Sequence, residues 1–518
     1  MRSLLRLGAL SFLLLAACDS ADADGEGGGG TGDFPAPEPL PALSRAPLST
    51  EERLAPVAQP GPATLDPRRP EDMSILLEDG FGDHSTIEGE PVIQRTFDGS
   101  APPAPGSARS LVSRFVHLAD IQLADDESPA RVANFDTANG LTGGAYRPQE
   151  GHQCNILNAA VRTINRVHEE TPIDLVILGG DNADNAQANE VEWVTAILSG
   201  SDSVECDSGD DDDPTPGPAN DPKDPFYADG LLVPWVWVMG NHDILNQGNL
   251  RLADKAGEYV SNYSAMGTRD WSLPGAPVVV GDIVPDERRR AVDGSAILAH
   301  VANDGDGHGV SAEAIESGRA FYTYDIPNTP IRFIVVDTAA PTGGAEGVVR
   351  RPEVEGFVIP ALDAALAAGK YVIVTSHHAS ALFTDGSTFG GIEQKDAVLT
   401  DEWRDLLGTY PNVLMHLAGH THHHKLQRID PSVGYSYWEV ETSALADFPH
   451  QMRLVEVWDQ DNGYFTLRLV AFDYQTENDP IAAEGRRRGI IDYASAWQGD
   501  GRGRAEDRNV ELWVPVPD

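Results

Sequence analysis

Short apolar runs alternate with helical stretches along the chain from about residue 111 onward. The apolar runs are each long enough for one buried strand: LVSRFVHLAD, IDLVILGGD, LLVPWVWVMGNHD, IRFIVVDT, KYVIVTSHH and NVLMHLAGH. Patterns typical of helices lie between them, in CNILNAAVRTINRVHEE and VEWVTAILSG. This alternation predicts an α/β fold.

The pattern changes towards the C-terminus, where three apolar runs follow one another without a helix between them. We predict consecutive antiparallel strands for YSYWEVETSA, MRLVEVWD and YFTLRLVAFDY. The residues after about 476 are more polar and are predicted to wrap around the domain. Trp235 and Trp237 alternate along one predicted strand, which favours a place in the core over a base-stacking surface.

Composition divides the chain into segments of different character. The predicted segments are a leader at 1–18, a flexible Gly/Pro/acidic tether at 19–45, an N-terminal extension at 46–110, a main domain at 111–475 and a C-terminal tail at 476–518. The main domain is expected to carry an exposed acidic insertion at 201–225 and a long insertion at 244–320.

The leader combines Arg2 and Arg6 with an apolar stretch that ends at Leu15 and is too short to span a bilayer. Its last four residues, LAAC, resemble the lipobox of bacterial lipoproteins, in which the cysteine is lipidated. The resemblance implies an exported protein held in the cell envelope by a lipid anchor at Cys18. The alternative is an ordinary signal peptide with a chance cysteine.

Charge and cysteine content narrow the classes of function. The chain has 37 basic and 81 acidic side chains and a net charge of −44, so its surface repels polyanions and argues against a nucleic-acid partner. A small anionic substrate is compatible with this charge, because a bound metal ion reverses it locally. Cys154 and Cys206 are either the disulfide of an exported protein or two separate thiols.

Polar side chains follow the predicted strands at the point where each strand ends. They are, in chain order, Asp120, Gln122, Asp181, Asn241, His242, His377, His378, His420 and His422. A single residue of this kind is usually a cap, part of a turn, or a histidine bonded to a backbone carbonyl. Their recurrence at five strand ends predicts a shared site, because sites in α/β sheets form on the loops at the carboxyl ends of strands.

The series DIQ, GGDNADN, GNHD, SHH and GHTH resembles the motif set of the calcineurin-like metallophosphoesterase superfamily, D-x-H, GDxxD, GNH, H and GHxH. The resemblance covers residues 111–445 and implies a four-layer α/β/β/α sandwich of two mixed sheets with two divalent metal ions at its edge. The stretches ADIQLADDESPAR, GGDNADNAQANE and GNHDILNQGN look closer still to an exported bacterial subgroup.

The resemblance also implies the metal ligands, position by position. The first metal ion would take Asp120, Gln122, Asp181 and His422, and the second would take Asp181, Asn241, His377 and His420. A bridging position needs a carboxylate, which Asp181 supplies. His377 is preferred to His378 because it is nearer the strand end. Gln122 stands where the family usually has histidine, and its harder amide oxygen favours Mn²⁺ or Fe²⁺, with Zn²⁺ as the alternative.

The reaction implied by the resemblance is attack on phosphorus by a hydroxide that bridges the two metals. His242 would protonate the leaving oxygen, and Asp184, the second acid of GDxxD, would hold the His242 ring. Asn185 stands where the family's protein serine/threonine phosphatases have an arginine, which argues against a phosphatase of that type. The D-x-Q variant resembles that of the manganese-dependent ADP-ribose/CDP-alcohol diphosphatases.

The predicted function is hydrolysis of a small phosphomonoester, phosphodiester or diphosphate. The alternatives are a nucleotide diphosphatase, a phospholipid diesterase and, outside this class, a catalytically silent surface binding module. The sequence leaves the substrate, the oligomeric state and the membrane leaflet open. Among the other residues near the motifs, His424 and Arg288–Arg290 are expected to be exposed, His423 to have no role, and Glu441 to support a ligand at most.

Overall fold

Two mixed β-sheets form the centre of the computed structural model. The structure describes residues 36–138, 142–209, 220–252, 259–305 and 307–516. The predicted leader, with Cys18, lies outside the described residues. Residues 35–518 cluster as one unit.

The strands among the described residues are, in chain order, β1 (Glu52–Pro56), β2 (His84–Glu88), β3 (Ile93–Arg95), β4 (Ser110–Leu118), β5 (Leu175–Leu178), β6 (Ser201–Val204), β7 (Phe226–Ala228), β8 (Trp235–Trp237), β9 (Leu245–Asn246), β10 (Leu250–Arg251), β11 (Tyr263–Arg269), β12 (Val278–Asp282), β13 (Tyr322–Asp325), β14 (Ile331–Val335), β15 (Tyr371–Thr375), β16 (Val413–Ala418), β17 (Lys425–Ile429), β18 (Tyr437–Glu441), β19 (Gln451–Asp459), β20 (Tyr464–Asp473) and β21 (Val510–Pro515). The α-helices are α1 (Pro70–Glu78), α2 (Gln153–Glu170), α3 (Ala188–Ser199), α4 (Asn241–Ile244), α5 (Gly294–Ala302), α6 (Ala312–Ser317), α7 (Arg351–Glu353), α8 (Ile359–Ala367), α9 (Thr400–Gly408), α10 (Pro480–Ala494) and α11 (Ala505–Arg508).

The first sheet has seven strands in the order β3-β21-β20-β19-β4-β5-β8. Strands β4, β5 and β8 are parallel, whereas β19, β20 and β21 are antiparallel neighbours. The second sheet has six strands in the order β13-β14-β15-β16-β18-β17, of which β14, β15, β16 and β18 are parallel. The parallel strands of each sheet therefore end at one edge of that sheet, which is where polar loops can meet.

Alternation along the strands of the second sheet divides their side chains between two apolar layers. Phe333 and Ile373 face the first sheet, and Phe333 meets Phe115 of β4 edge-on, with ring centroids 5.1 Å apart. Ile334 and Val374 face the opposite way and pack with Leu362, Trp403 and other side chains of α8 and α9. Helices α2 and α3 contribute to the core on the side of the first sheet. The architecture is the α/β sandwich of two mixed sheets that the sequence predicts.

The prediction of three consecutive antiparallel strands near the C-terminus is wrong for the first of them. β18 belongs to the second sheet, where it is parallel to β16, and only β19 and β20 pair with each other in the antiparallel manner. The predicted N-terminal extension and C-terminal tail both contribute elements that pack with the domain. β3 and β21 form one side of the first sheet, and α10 packs on α2.

The two cysteines are joined in a disulfide, Cys154–Cys206. The bond ties the start of α2 to the acidic insertion, which was predicted to be an exposed loop. The described part of this insertion is only partly exposed: Asp207 and Lys223 are buried, and Lys223 is paired with Asp126. Among the described residues, no helix is long and apolar enough to cross a membrane.

Candidate metal centre

Five loops follow strands of the two sheets and bring the predicted polar residues together. β4 leads to Asp120, β5 to Asp181, β8 to Asn241, β15 to His377 and β16 to His420. These loops carry buried polar side chains where the strands themselves are apolar. The two parallel strand sets thus supply one cluster.

The backbone of this cluster is unusual for residues that carry a side chain. Asp120, Gln122, Asp181, His420 and His422 have φ values of 51°, 42°, 52°, 68° and 57°. Such positive φ values are uncommon outside glycine and cost free energy. Backbone strain of this kind concentrates at functional sites, where the surrounding structure holds it in place.

Two buried carboxylates and two imidazoles form the centre of the cluster. His377 Nε2 lies 3.0 Å from Asp181 Oδ2 and 3.9 Å from Asp120 Oδ1, and His422 Nε2 lies 3.4 Å from Asp120 Oδ1. Burial lowers the pKa of both rings, but the carboxylates outweigh it and raise the pKa of His377 to about 9 and that of His422 to about 10. The carboxylates therefore favour positive charge at this position, which divalent cations supply.

The two histidines of SHH, His377 and His378, differ in their hydrogen-bond partners. His377 Nδ1 is hydrogen-bonded to the carbonyl oxygen of Gly179 at 2.9 Å, which turns Nε2 towards the carboxylates. His378 uses both of its ring nitrogens elsewhere, with Thr338 Oγ1 at 2.8 Å and the carbonyl of Ala345 at 2.8 Å. This difference supports His377 as the ligand, although His378 also lies within reach of the cluster.

His420 presents a neutral imidazole to the same cluster. Its Nδ1 lies 3.2 Å from His377 Nε2, and its backbone N–H donates to Asp120. Burial, together with the rings of His378 and His377, holds the pKa of His420 well below its usual range. Neutral imidazole is the form that binds metal ions, so two nitrogens that converge in this way fit a shared cation.

Asn241 offers an amide oxygen to the cluster. Its Nδ2 donates to the carbonyl of Gly248 at 3.0 Å, which distinguishes the amide nitrogen from the oxygen. The buried Oδ1 has no hydrogen-bond partner among the described residues. A buried oxygen without a partner is costly, and a metal ion would satisfy it.

Gln122 is oriented in the opposite way. Its Oε1 accepts a hydrogen bond from Arg147 Nη2 at 2.6 Å, whereas its Nε2 lies 3.4 Å from Asp181 Oδ2. The amide group that faces the carboxylates is therefore NH₂. The prediction that Gln122 binds the first metal ion through its oxygen stays a prediction.

His242 lies beside the carboxylates and is partly exposed. Its backbone N–H donates to Asp181 Oδ1 at 2.8 Å, and its Nδ1 is 2.8 Å from the carbonyl oxygen and 3.3 Å from Oδ1 of Asp184. Burial lowers the pKa of His242, but the Asp181 and Asp184 carboxylates outweigh this effect and raise it. The contacts at Nδ1 leave Nε2 as the nitrogen that can face a substrate.

Asp184 is held by a buried pair of arginines that sequence analysis did not identify. Arg131 forms an ion pair with Asp184 and another with Glu150, and Arg147 Nη1 lies 3.8 Å from Asp184 Oδ1. Burial raises the pKa of Asp184, but Arg131 and His242 hold it down at about 2. Asp184 is therefore an ionised carboxylate that supports the His242 ring.

Asp447 is a second residue that sequence analysis missed. It accepts a hydrogen bond from His422 Nδ1, is paired with Arg147 Nε at 2.6 Å, and accepts from Gln498 Nε2 at 2.9 Å. A carboxylate that holds the far nitrogen of a ligating histidine fixes the ring and makes it a better ligand. Asp447 belongs to no motif, so only the tertiary structure reveals it.

Asp447→Asn is expected to weaken Mn²⁺ binding by about 10–100-fold, because His422 loses the charge that orients its ring. Isothermal titration of the purified protein with Mn²⁺ measures this affinity. Asp430→Asn is the matched control, since Asp430 is exposed and its contacts, with Arg428 and Ser436, lie at the surface. Equal affinities of the two variants would contradict the role of Asp447.

Glycines allow the motifs to approach one another closely. A Cβ on Gly240 would lie 2.1 Å from Asp181 Oδ1, and a Cβ on Gly248, which has a φ of +63°, would lie 2.3 Å from His242 Cδ2. Real Cβ atoms do not approach other atoms so closely, so a larger residue would displace the site. The close packing of Asp181 against the GNHD motif therefore requires a glycine at position 240.

Other expectations about residues near the motifs are corrected by the structure. His424 is buried rather than exposed, with Nδ1 2.7 Å from Arg453 Nη2. Arg289 is also buried, paired with Asp125 at 3.0 Å. Glu441 supports the GHTH turn by accepting a hydrogen bond from Thr421 at 2.6 Å.

The sequence and the fold were compared with those of known proteins. A family model described as calcineurin-like phosphoesterase matches residues 113–424. No curated protein matches the sequence.

Among solved structures, a dimetal phosphatase from Danio rerio is similar, with 12% identity, 71% of this chain and 100% of that chain covered, and a TM-score of 0.37. A Thermus thermophilus sulfate thiohydrolase, SoxB, has 14% identity, 74% and 60% coverage, and a TM-score of 0.29. GAP50, the anchor in the inner membrane complex of Plasmodium, has 12% identity, 70% and 85% coverage, and a TM-score of 0.28.

Proposed function

Because this chain belongs to the calcineurin-like phosphoesterase family, we propose that it hydrolyses a small phosphomonoester, phosphodiester or diphosphate at the site described above. Membership makes the protein a metal-dependent phosphoesterase and implies two divalent metal ions. The small size of the substrate is proposed from the net charge of −44, which disfavours a polyanion.

The observation that carries this proposal is the position of His242 beside the carboxylate and imidazole cluster. The backbone N–H of His242 donates a hydrogen bond to Asp181 Oδ1, and Asp181 Oδ2 lies 3.0 Å from His377 Nε2. An acid group therefore lies directly beside the cluster of carboxylates and imidazoles. Phosphoryl transfer needs both, because charge develops on the phosphoryl oxygens and on the leaving oxygen.

The residues present fit two cations. We assign Asp120, Asp181 and His422 to the first, and leave out the predicted ligand Gln122 because its NH₂ lies towards Asp181 while its oxygen accepts from Arg147. We assign Asp181, Asn241, His377 and His420 to the second. The partnerless oxygen of Asn241 and the converging nitrogens of His377 and His420 support this assignment. When bound, the metal ions supply a Lewis acid and a nucleophilic water at neutral pH. The mixed carboxylate, amide and imidazole donors favour Mn²⁺ or Fe²⁺, with Zn²⁺ as the alternative.

The chain's own groups place and move the proton of the leaving group. Asp184 is ionised and lies 3.3 Å from His242 Nδ1, and the carbonyl of the same residue accepts the Nδ1 proton. This contact keeps a proton on Nδ1 and orients Nε2 towards the substrate. His242 then donates from Nε2 to the leaving oxygen as general acid.

Export and lipidation at Cys18 are part of the proposal, on the strength of the leader and its LAAC sequence alone. The disulfide between Cys154 and Cys206 supports an oxidising compartment.

The test is release of nitrophenol from bis-(p-nitrophenyl) phosphate and p-nitrophenyl phosphate by the purified protein loaded with Mn²⁺. Release that stops when a chelator is added, and returns with Mn²⁺, supports the proposal. The ratio of the two rates separates diesterase from monoesterase activity. Folded protein that binds two equivalents of Mn²⁺, Fe²⁺ or Zn²⁺ but releases nothing from either ester would overturn the proposal and favour a silent binding module.

A further inference from the structure

We propose that Arg147 is a positioning residue which turns the Gln122 amide so that its NH₂, and not its oxygen, faces the first metal position. The first metal ion is then held by three protein ligands, Asp120, Asp181 and His422. The NH₂ of Gln122 donates a hydrogen bond to a phosphoryl oxygen of the substrate. This inference rests on the proposed function for its substrate and on the geometry of the site for its ligands.

The neighbours of Gln122 decide which end of its amide is oxygen. Arg147 carries only donors, so the atom 2.6 Å from its Nη2 must be an acceptor. The Asp181 carboxylate only accepts, so the atom 3.4 Å from its Oδ2 must be a donor. A half-turn of the amide would place NH₂ against the guanidinium and oxygen against the carboxylate, and both contacts would be repulsive.

Arg147 keeps its own orientation without Gln122. Its side chain is only 4% exposed, its Nε is paired with Asp447 Oδ1 at 2.6 Å, and its Nη1 lies 3.8 Å from Asp184 Oδ1. Two carboxylates on different loops therefore hold the planar guanidinium. A fork fixed in this way imposes its direction on the amide that meets it.

Asn241 shows the contrasting arrangement in the same site. The carbonyl of Gly248 takes the Asn241 NH₂ and leaves Oδ1 without a partner among the described residues. The amide of Asn241 thus offers an oxygen, whereas the amide of Gln122 offers N–H groups. The two amides of the motif set therefore present opposite groups to the site, and the hydrogen-bond partner of each amide determines which group it presents.

The N–H groups of Gln122 suit an anion and not a cation. An NH₂ group carries partial positive charge, so it is not a ligand for a divalent cation. It lies beside Asp181 in a buried position, where a donor is valuable once a phosphoryl oxygen arrives. The charge of Arg147 is already directed at Asp447 and Asp184, so Arg147 reaches the substrate through Gln122 and not directly.

Mn²⁺ titration of the full-length protein tests whether Gln122 is a metal ligand or a hydrogen-bond donor to the substrate. Gln122→Leu is expected to bind two equivalents of Mn²⁺ with affinities within about threefold of the unchanged protein, because no ligand is lost. His422→Leu is the matched control and is expected to lose more than the roughly 10–100-fold typical of an outer-shell partner. A comparable loss in Gln122→Leu would overturn the proposal.

Kinetics at saturating Mn²⁺ supply the second readout. Gln122→Leu and Gln122→Glu are both expected to lower kcat for bis-(p-nitrophenyl) phosphate by about 10²-fold, as for loss of one preorganised donor. Gln122→Glu keeps an oxygen that can accept the hydrogen bond from Arg147. If Gln122→Leu does not fold, Gln122→Glu is sufficient to test the proposal. Unchanged kcat in Gln122→Glu would show that an oxygen suffices, which would overturn the donor role.

A double-mutant cycle tests whether Arg147 acts through Gln122. Arg147→Lys keeps a cation beside Asp447 and Asp184 but loses the planar fork that meets Gln122. It is therefore expected to lower kcat at saturating Mn²⁺ in the otherwise unchanged protein, but not further in Gln122→Leu. Fully additive losses would overturn the positioning role. If the unchanged protein binds two Mn²⁺ but hydrolyses neither ester, the proposed function fails, and the titrations still decide whether Gln122 is a ligand.

Discussion

Asp181→Asn is expected to lower Mn²⁺-dependent hydrolysis of bis-(p-nitrophenyl) phosphate by at least about 10³-fold, corresponding to about 4 kcal/mol of lost transition-state stabilisation. Asp181 is the one carboxylate assigned to both metal ions. It also meets His377 Nε2 at 3.0 Å and the backbone N–H of His242 at 2.8 Å. Asparagine can keep the contact to His242, but it lacks the negative charge that holds two cations together.

Two measurements on Asp181→Asn test this expectation. Metal analysis after dialysis should show less than one equivalent of Mn²⁺ bound, and the rate should stay low when Mn²⁺ is added in excess. Asp325→Asn is the matched control, because Asp325 is paired with Arg332 at the opposite end of β14 from the site. Asp181→Asn with two bound equivalents and ordinary activity would refute the bridging role.

His242→Ala is expected to slow hydrolysis of alkyl phosphate esters by about 10²–10⁴-fold, the usual contribution of a general acid. Nitrophenyl esters should slow far less, because nitrophenolate leaves without a proton. The difference arises from the position of His242, whose Nδ1 is occupied by Asp184 while Nε2 remains for the leaving oxygen. Mn²⁺ affinity should change little, since His242 is not assigned to either metal ion.

The comparison requires both ester types with the same variant at saturating Mn²⁺. His423→Ala is the matched control, since this imidazole directly follows the GHTH turn but is exposed. It should behave as the unchanged protein with either ester. Equal losses for alkyl and nitrophenyl esters in His242→Ala would exclude the role of general acid and would point to a structural effect on Asn241.

Much of the fold and the site was predictable because their signals are local. β4, β5, β8, β14, β15 and β16 all coincide with apolar runs that a short window of sequence reveals. The polar residues that follow them are at the ends of those runs, so their convergence follows from the fold class. The close approach of Gly240 to Asp181 also follows a motif glycine that is visible in the sequence.

The sequence predicted that the C-terminal residues wrap around the domain, but it did not predict the helix and the strand that they form. Helix α10 has a local signal, since Asp479 caps the N–H of Ala482 and Pro480 follows it directly. Its polar composition nevertheless predicted a tail that wraps around the domain. β21 joins the first sheet by pairing with β20 and β3. Pairing between strands that are far apart in the chain cannot be recognised from the composition of each segment.

The sequence by itself determined the class of fold, the family and the set of polar residues at the strand ends, because each depends on residues that are close together in the chain. The tertiary structure alone decided which atoms those residues present. The contacts of the His377 and His378 rings, the contacts of Asp447 and the direction of the Gln122 amide all depend on hydrogen-bond partners. Those partners come from remote segments, and a histidine or an amide has the same letter in the sequence whichever atom it offers.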